Sequence, residues 1–179
     1  VPKKYAGSYG TNGFYLNFAN NDLLTNFVDS SSSARTITRV GNVVHSSAQK
    51  KTGATSIYFD GTSDCLYVPD SSDFAFGTGD FTLESWVRRS RVDADEWFLI
   101  QSDGTSANSA AGLHIWSTAY GGSNANKAHF RLRIGGSNVD VNGTTTLAIN
   151  TWYHMAGVRD GNTARIYING VQEASVSIS

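Results

Sequence analysis

The chain has 179 residues, of which 40% are hydrophobic and 16% charged, a composition that fits one globular domain and argues against intrinsic disorder. Fourteen Lys and Arg against fifteen Asp and Glu leave almost no net charge, so we expect no nucleic acid partner. Apolar runs are shorter than the roughly 20 residues of a membrane span. We therefore expect a soluble chain with no membrane partner, from which any export signal has been removed.

Alternation of apolar and polar residues with period two predicts an all-β fold, an antiparallel β-sandwich. The predicted strands are 14–18, 55–59, 65–68, 81–87, 97–101, 112–116, 129–134, 152–159 and 164–169. Residues 19–53 are interpreted as one hairpin-like excursion with short strands at 36–40 and 42–44. Asn169-Gly170 predicts a tight type I′ hairpin with another strand directly after it.

The single cysteine, Cys65, excludes an internal disulfide. Its strand context and the absence of a CxxC partner favour the role of a small apolar side chain over a reactive one. We expect a Cys65→Ser change to cost little stability.

Four segments in succession resemble the laminin G-like modules of the concanavalin A-like lectin and glucanase superfamily. They are SIYFDG at 56–61, DFTLESWV at 80–87, NTWYHMAGV at 150–158 and ARIYING at 164–170. With GFYLNF at 13–18 in the place of the family's first strand, the resemblance extends from about residue 13 to the C-terminal end. It implies a jelly roll of two antiparallel sheets whose concave face or rim loops hold the ligand. The opening also resembles such modules in phage virion and tail proteins.

The resemblance also implies a domain organisation. We expect an N-terminal arm or linker at 1–12 and one sandwich domain at 13–179. The family usually continues beyond the strand that follows Asn169-Gly170, whereas this sequence stops at Ser179, so we expect the domain to be incomplete at its C-terminus. Residues 14–18 would then pair with a neighbouring chain or a further domain, or form an exposed edge.

Catalytic chemistry is not expected. Glycanases of the superfamily carry closely spaced acids in an E-x-D-x-x-E pattern, which does not occur here. Glu84 is the only acid in its predicted strand, and Asp93, Asp95 and Glu96 are interpreted as a solvated turn. There is no Gly-x-Ser-x-Gly nucleophile motif, and the four histidines are dispersed.

A calcium site is a weaker possibility. Asp60 and Asp64 offer two carboxylates in one turn, and the family often has a structural calcium near this turn. The family's usual acidic partner belongs to the strand beyond Ser179. An ordinary Asp-Gly turn is the simpler alternative.

Candidate ligand-binding residues combine aromatic faces for stacking with polar groups for hydroxyls. They are Glu84, Trp86, His114, Trp116, Tyr120 and Asn124, with Trp97 as a further stacking candidate. We expect them to share one concave surface or rim. The alternative is that the tryptophans belong to the core. Asn142-Gly143-Thr144 also matches a glycosylation sequon, which matters only in a eukaryotic secretory route.

These observations predict a non-catalytic recognition module, extracellular or on a virion. It would bind glycan or a protein surface as part of a larger secreted or virion-associated assembly, alongside other chains or domains. A purely structural domain of a virion or multidomain protein is the main alternative. A partial glycoside hydrolase is the third, and the absence of paired acids weighs against it.

Overall fold

A computed structural model of the chain describes residues 13–16, 26–102, 109–117 and 121–178, with the side chains of 109 and 110 left out. These residues form twelve β-strands and two short 3₁₀ helices, Ser72–Phe74 and Gly122–Asn124. The chain divides into two compact units, Val1–Ala75 and Phe76–Ser179. The prediction of one domain from residue 13 stays a prediction, and each unit is described by itself.

The first unit contains four strands of three residues each. They are β1 (Thr38–Val40), β2 (Val44–Ser46), β3 (Ser56–Tyr58) and β4 (Cys65–Tyr67). β1 pairs with β4 and β2 pairs with β3, both antiparallel. The prediction of one hairpin-like excursion is therefore wrong in its pairing, because β1 and β2 each pair with a strand later in the chain. Cys65 lies in β4 as expected, but its side chain is exposed rather than packed.

Asp29 organises the start of the first unit. Its carboxylate accepts hydrogen bonds from the backbone N–H groups of Tyr15, Ser31 and Arg35. Burial acts to raise the pKa of Asp29, but these donors outweigh it and hold that pKa below its usual value. Leu16 forms an antiparallel bridge with Asp29, which gives the described part of the predicted first strand a partner within the chain. Residues 17 and 18 lie outside the described residues.

The second unit consists of two antiparallel sheets, which confirms the predicted β-sandwich. Its strands are β5 (Phe81–Val87), β6 (Glu96–Ser102), β7 (Ser109–Ile115), β8 (Lys127–Ile134), β9 (Ser137–Thr146), β10 (Tyr153–Asp160), β11 (Thr163–Ile168) and β12 (Val171–Ser177). One sheet has the order β12-β11-β10-β5, and the other has the order β6-β7-β8-β9. Strands that follow each other in the sequence therefore do not always share a sheet: β5 and β6 lie in different sheets, as do β9 and β10.

The hydrophobic core of the second unit takes residues from both sheets. Leu113, Phe130 and Val141 come from the β6-β9 sheet, and Met155 and Ile166 come from the other. All five are completely buried. Since side chains alternate along a strand, the residues next to these project from the outer faces of the sheets.

Most predicted strands lie close to their observed bounds, and the Asn169-Gly170 hairpin is confirmed. Both residues have positive φ, 52° and 82°, as a type I′ turn requires. Strand β9 was not predicted. Its sequence is rich in Asn, Asp and Gly, which strands usually disfavour, and only Val139 and Val141 face inward against β8.

Glu173 joins an edge of one sheet to an edge of the other. It lies on β12, and its Oε2 accepts hydrogen bonds from the backbone N–H groups of Thr144 and Thr145 at 2.7 and 3.0 Å. Both donors lie in β9. The carboxylate thus occupies N–H groups that an open strand edge would present to other chains.

Gly157→Ala tests the spacing of the sheets. Gly157 is buried in β10, and a Cβ atom there would overlap the ring of Phe130. We expect a loss of about 1–3 kcal/mol in the free energy of unfolding, because the ring has no space to move into. Chemical denaturation measures it.

The control is Phe130→Leu, alone and combined with Gly157→Ala. If the overlap causes the loss, the double variant will be destabilised by less than the sum of the two single changes. Additive effects would contradict this explanation.

Candidate ligand-binding face

One row of side chains crosses all four strands on the outer face of the β6-β9 sheet. Trp97 is the register partner of His114, His114 that of His129, and His129 that of Asn142. We call Trp97, His114 and His129 the aromatic row. Core residues next to the row, such as Leu113 and Ile115 on β7 and Phe130 on β8, face inward, so the alternation places these four side chains outward.

The rings of the aromatic row are stacked. The centroids of Trp97 and His114 are 4.2 Å apart with an interplanar angle of 28°, and those of His114 and His129 are 5.1 Å apart with an angle of 20°. Gly112 makes room for the first pair, since a Cβ atom there would lie 2.8 Å from the Trp97 ring. Cross-strand ring pairs of this kind stabilise a sheet.

His129 connects the row to its surroundings. It is completely buried, and its Nε2 lies 3.0 Å from the backbone carbonyl oxygen of Asn124. A carbonyl only accepts, so Nε2 carries the hydrogen and donates it. Its Nδ1 lies 2.6 Å from Oδ1 of Asn142. Glycosylation of the Asn142 sequon would therefore disrupt a contact inside the sheet face.

Arg131 and Asp140 form an ion pair beside the aromatic row. Arg131 donates from Nε and Nη2 to the two carboxylate oxygens of Asp140, each at 2.7 Å. Burial acts to raise the pKa of Asp140, but the bonded guanidinium outweighs it and holds that pKa below its usual value. The guanidinium carbon lies 5.2 Å from the ring of Trp116 and 5.8 Å from that of Trp97. The pair thus lies between two aromatic rings.

His114 differs from the other polar groups of this face. It is completely buried, and neither ring nitrogen has a hydrogen-bond partner within the part of the chain that the structure describes. Burial lowers the pKa of His114 to about 3, and the charges of His129 and Arg131 act in the same direction. The imidazole is therefore neutral at neutral pH.

The predicted ligand-binding residues do not share one surface. His114 and Trp116 lie on the outer face of the β6-β9 sheet, and Asn124 is attached there through its backbone carbonyl. Glu84 and Trp86 lie on β5, where Leu83 and Val87 face the core. Because the core separates the two sheets, the prediction of a common surface is wrong for these two residues.

On the opposite face, Glu84 and Trp86 contact His154 of the neighbouring strand. His154 Nε2 is 3.5 Å from Oε2 of Glu84, and its ring centroid is 5.3 Å from that of Trp86. Tyr120, the remaining predicted stacking residue, lies outside the described residues.

Sequence reasoning missed four residues of this face: His129, Arg131, Asp140 and Asn142. The alternation in 129–134 already predicts that His129 and Arg131 lie on the face of the strand that Phe130 does not occupy, so the sequence contained enough information to find these two. Asp140 and Asn142 could not be placed, because β9 was not predicted.

Glu96 also corrects an expectation. It was interpreted as part of a solvated turn, but it lies in β6 with an 18% exposed side chain, beside the buried Arg89. Burial raises the pKa of Glu96 despite Arg89 nearby. Its Oε2 is 2.9 Å from Arg89 Nε, whose hydrogen is directed to the carbonyl of Arg91, so the contact is electrostatic.

The Asp60 and Asp64 carboxylates lie together in one turn of the first unit. Asp64 accepts from the backbone N–H groups of Asn42 and Asp60, and Asp60 accepts from that of Thr62 and from the Asn42 side chain. N–H donors thus bind all four oxygens, whereas calcium requires about six to eight oxygen ligands. Two carboxylates engaged in this way do not by themselves fit calcium, and calcium binding stays a prediction.

Comparison with known proteins identifies the class. Residues 60–179 match a laminin G model of the concanavalin A-like lectin/glucanases superfamily. The chain therefore belongs to this superfamily, as the sequence resemblance implied. A comparison with curated proteins gave no match.

Two solved structures that are similar to the chain each have 23% sequence identity to it. One is a domain of an S-layer domain-containing protein from Clostridium thermocellum, with a TM-score of 0.50 over 93% of this chain and 72% of that one. The other is a candidate carbohydrate-binding protein from Bacteroides ovatus, with a TM-score of 0.43. That match covers 56% of this chain and 26% of the other.

None of the helices that the structure describes is long and apolar enough to cross a membrane. Among the described residues, no group of three or more His, Cys, Asp and Glu is placed to hold a metal ion.

The state of His114 predicts how stability changes with pH. Its folded pKa of about 3 lies below the 6.5 of an unperturbed histidine, so between these values the unfolded chain binds a proton that the folded chain does not. Stability will therefore fall as the pH decreases through this range, with His114 contributing about 1 kcal/mol per pH unit. Urea denaturation at a series of pH values measures the slope.

The comparison protein for this prediction is His114→Phe, which lacks the titrating group. Carboxylates such as Asp140 also lose stabilising interactions in acid, but they do so in both proteins. We expect the parent to lose more stability than the variant below pH 6.5. Parallel curves would show that His114 is hydrogen-bonded or hydrated in the folded state.

Proposed function

We propose that this chain is a non-catalytic carbohydrate-binding domain, and that the outer face of the β6-β9 sheet binds the glycan. The observation that carries the proposal is the aromatic row together with the Arg131–Asp140 pair on one sheet face. Sugars present apolar C–H faces and hydroxyl edges. Trp97 and Trp116 offer rings for the first, and the ion pair offers a donor and an acceptor for the second.

The ion pair on this face is already ordered before a ligand binds. Arg131 donates two hydrogen bonds to Asp140. Both side chains are partly exposed, by 16% for Arg131 and 29% for Asp140. A glycan that contacts them meets side chains that are already ordered. Pre-ordered contacts reduce the entropy lost on binding.

Asp140 and Glu84, the acids on the outer faces of the two sheets beside aromatic rings, support a non-catalytic role. Asp140 has both oxygens bound by Arg131, and its lowered pKa keeps it ionised at neutral pH, so it is a poor proton donor. Glu84 lies on the opposite sheet. Glycoside hydrolysis needs two carboxyl groups on either side of one bond, which Asp140 and Glu84 cannot provide together.

A structural role in a larger assembly is the second candidate. Tyr58, Phe59 and Tyr67 of the first unit are each about half exposed, and large exposed apolar side chains favour contact with another protein surface. We place either role in an extracellular or virion-associated assembly. The two candidates differ in whether a glycan binds.

The test begins with a glycan array that includes neutral and acidic glycans, followed by calorimetry with the strongest hit. We expect Trp116→Ala to weaken binding about tenfold, because the ring on this face is lost. Trp86→Ala is the matched control on the opposite face and should bind as the parent does.

The outcomes separate the alternatives. Loss of binding in Trp86→Ala but not in Trp116→Ala would assign the glycan to the β5-β10-β11-β12 sheet instead. No binding to any arrayed glycan would favour the structural role.

A further inference from the structure

Packing alone does not explain why a histidine occupies position 114. Its ring is completely buried, and within the described residues both nitrogens are without hydrogen-bond partners. Leaving a buried polar group unpaired destabilises the folded state, whereas an apolar ring of similar shape would avoid this penalty. Buried unpaired groups of this kind call for a specific explanation.

Three aromatic rings surround the imidazole of His114. Trp97 and His129 stack on its two faces with small interplanar angles. Trp116 stands nearly perpendicular to it, with centroids 4.5 Å apart and an angle of 80°. Since the two faces are occupied, Trp116 covers an edge of the imidazole. The ring is attached to the strand through Cγ, so the edge directed away from the strand carries nitrogen.

The backbone around Trp116 is held by hydrogen bonds that do not involve its indole ring. The backbone carbonyl oxygen of Trp116 accepts a hydrogen bond from the backbone N–H of Asn126 at 3.0 Å. The next residue, Ser117, donates its backbone N–H to Oδ1 of Asp95 at 2.6 Å. The indole contacts described for it are ring contacts, with His114, with His129 and with the Arg131 guanidinium. Rotation of the side chain would therefore expose the edge of His114 while the strand end stays in place.

We propose that His114 is a buried binding residue that hydrogen-bonds a hydroxyl group of an uncharged saccharide when Trp116 moves aside. This rests on the proposed function, because it adds a contact beneath the same sheet face. A neutral imidazole has one donor and one acceptor, and a hydroxyl group both donates and accepts. A hydroxyl group can therefore pair with either nitrogen of the ring, whereas a carboxylate or phosphate only accepts and can pair only with the nitrogen that carries the hydrogen.

The charges around His114 agree with an uncharged ligand. Arg131 and Asp140 both act electrostatically on His114, and they neutralise each other through two hydrogen bonds. Burial, with His129 and Arg131 adding to it, keeps the pKa of His114 well below neutral. The buried group is thus an uncharged imidazole beside a neutralised ion pair.

The experiment uses four named probes: cellopentaose, laminaripentaose, mannopentaose and chitopentaose, each with its C6-oxidised, negatively charged form. Dissociation constants are measured by calorimetry for the parent, His114→Phe and His154→Phe. His154 lies on the opposite sheet, so its variant controls for the same change at a different histidine. Thermal unfolding of each protein is recorded in parallel.

We expect the parent to bind at least one neutral pentaose more tightly than its oxidised form. His114→Phe should keep or raise the melting temperature and weaken that binding at least tenfold, while His154→Phe binds as the parent does. In the parent, the ¹⁵N resonances of the His114 ring should shift on saturation with the same pentaose. This last measurement replaces the variant if His114→Phe does not fold.

Four results would overturn the inference in whole or in part. Equal affinity of His114→Phe and the parent would make His114 a packing residue and leave the proposed function intact, as would unchanged ¹⁵N resonances at saturation. Equal or tighter binding of the oxidised forms would reject the uncharged ligand alone. If the parent binds none of the neutral probes, the inference fails here, while the glycan array decides the proposed function separately.

Discussion

Contact between Phe130 and the backbone of Gly157 holds the two sheets of the second unit together, and the outer faces depend on it. Phe130 is completely buried, and a single methyl group at Gly157 would overlap its ring. Because side chains alternate along β8, a Phe130 that faces inward forces His129 and Arg131 to face outward. A slip of one residue would exchange the two sets, so the same interaction that forms the core also places the candidate binding face.

The outer face contains polar groups that are buried almost as deeply as the core. Two hydrogen-bonded pairs, Arg131 with Asp140 across neighbouring strands and His129 with the backbone carbonyl of Asn124, compensate for lost hydration. His114 has no such compensation from the described residues. Local sequence and packing agree along most of this sheet and disagree at one residue, which is where a functional constraint on the sequence is expected.

Strands were predictable where apolar residues alternate strictly, as in 81–87 and 129–134, because burial of one sheet face imposes that pattern. Strand β9 was not, since its outward positions are Asn and Asp and its turn-forming residues resemble a loop. The grouping of Glu84 with His114 failed for a different reason. Strand β5 pairs with β10, about 70 residues later, and alternation within a strand contains no information about which distant strand lies beside it.

The separation of acids on the two faces bears on what a member of a superfamily of lectins and glucanases can do. Hydrolysis needs one carboxyl group that gives up a proton and a second that attacks or activates water on the other side of the bond. Asp140 is engaged by Arg131, and Glu84 is exposed on the far sheet beside His154. The core lies between them. These two carboxyl groups therefore cannot act on one glycosidic bond, which supports the proposal of recognition over one of cleavage by this pair.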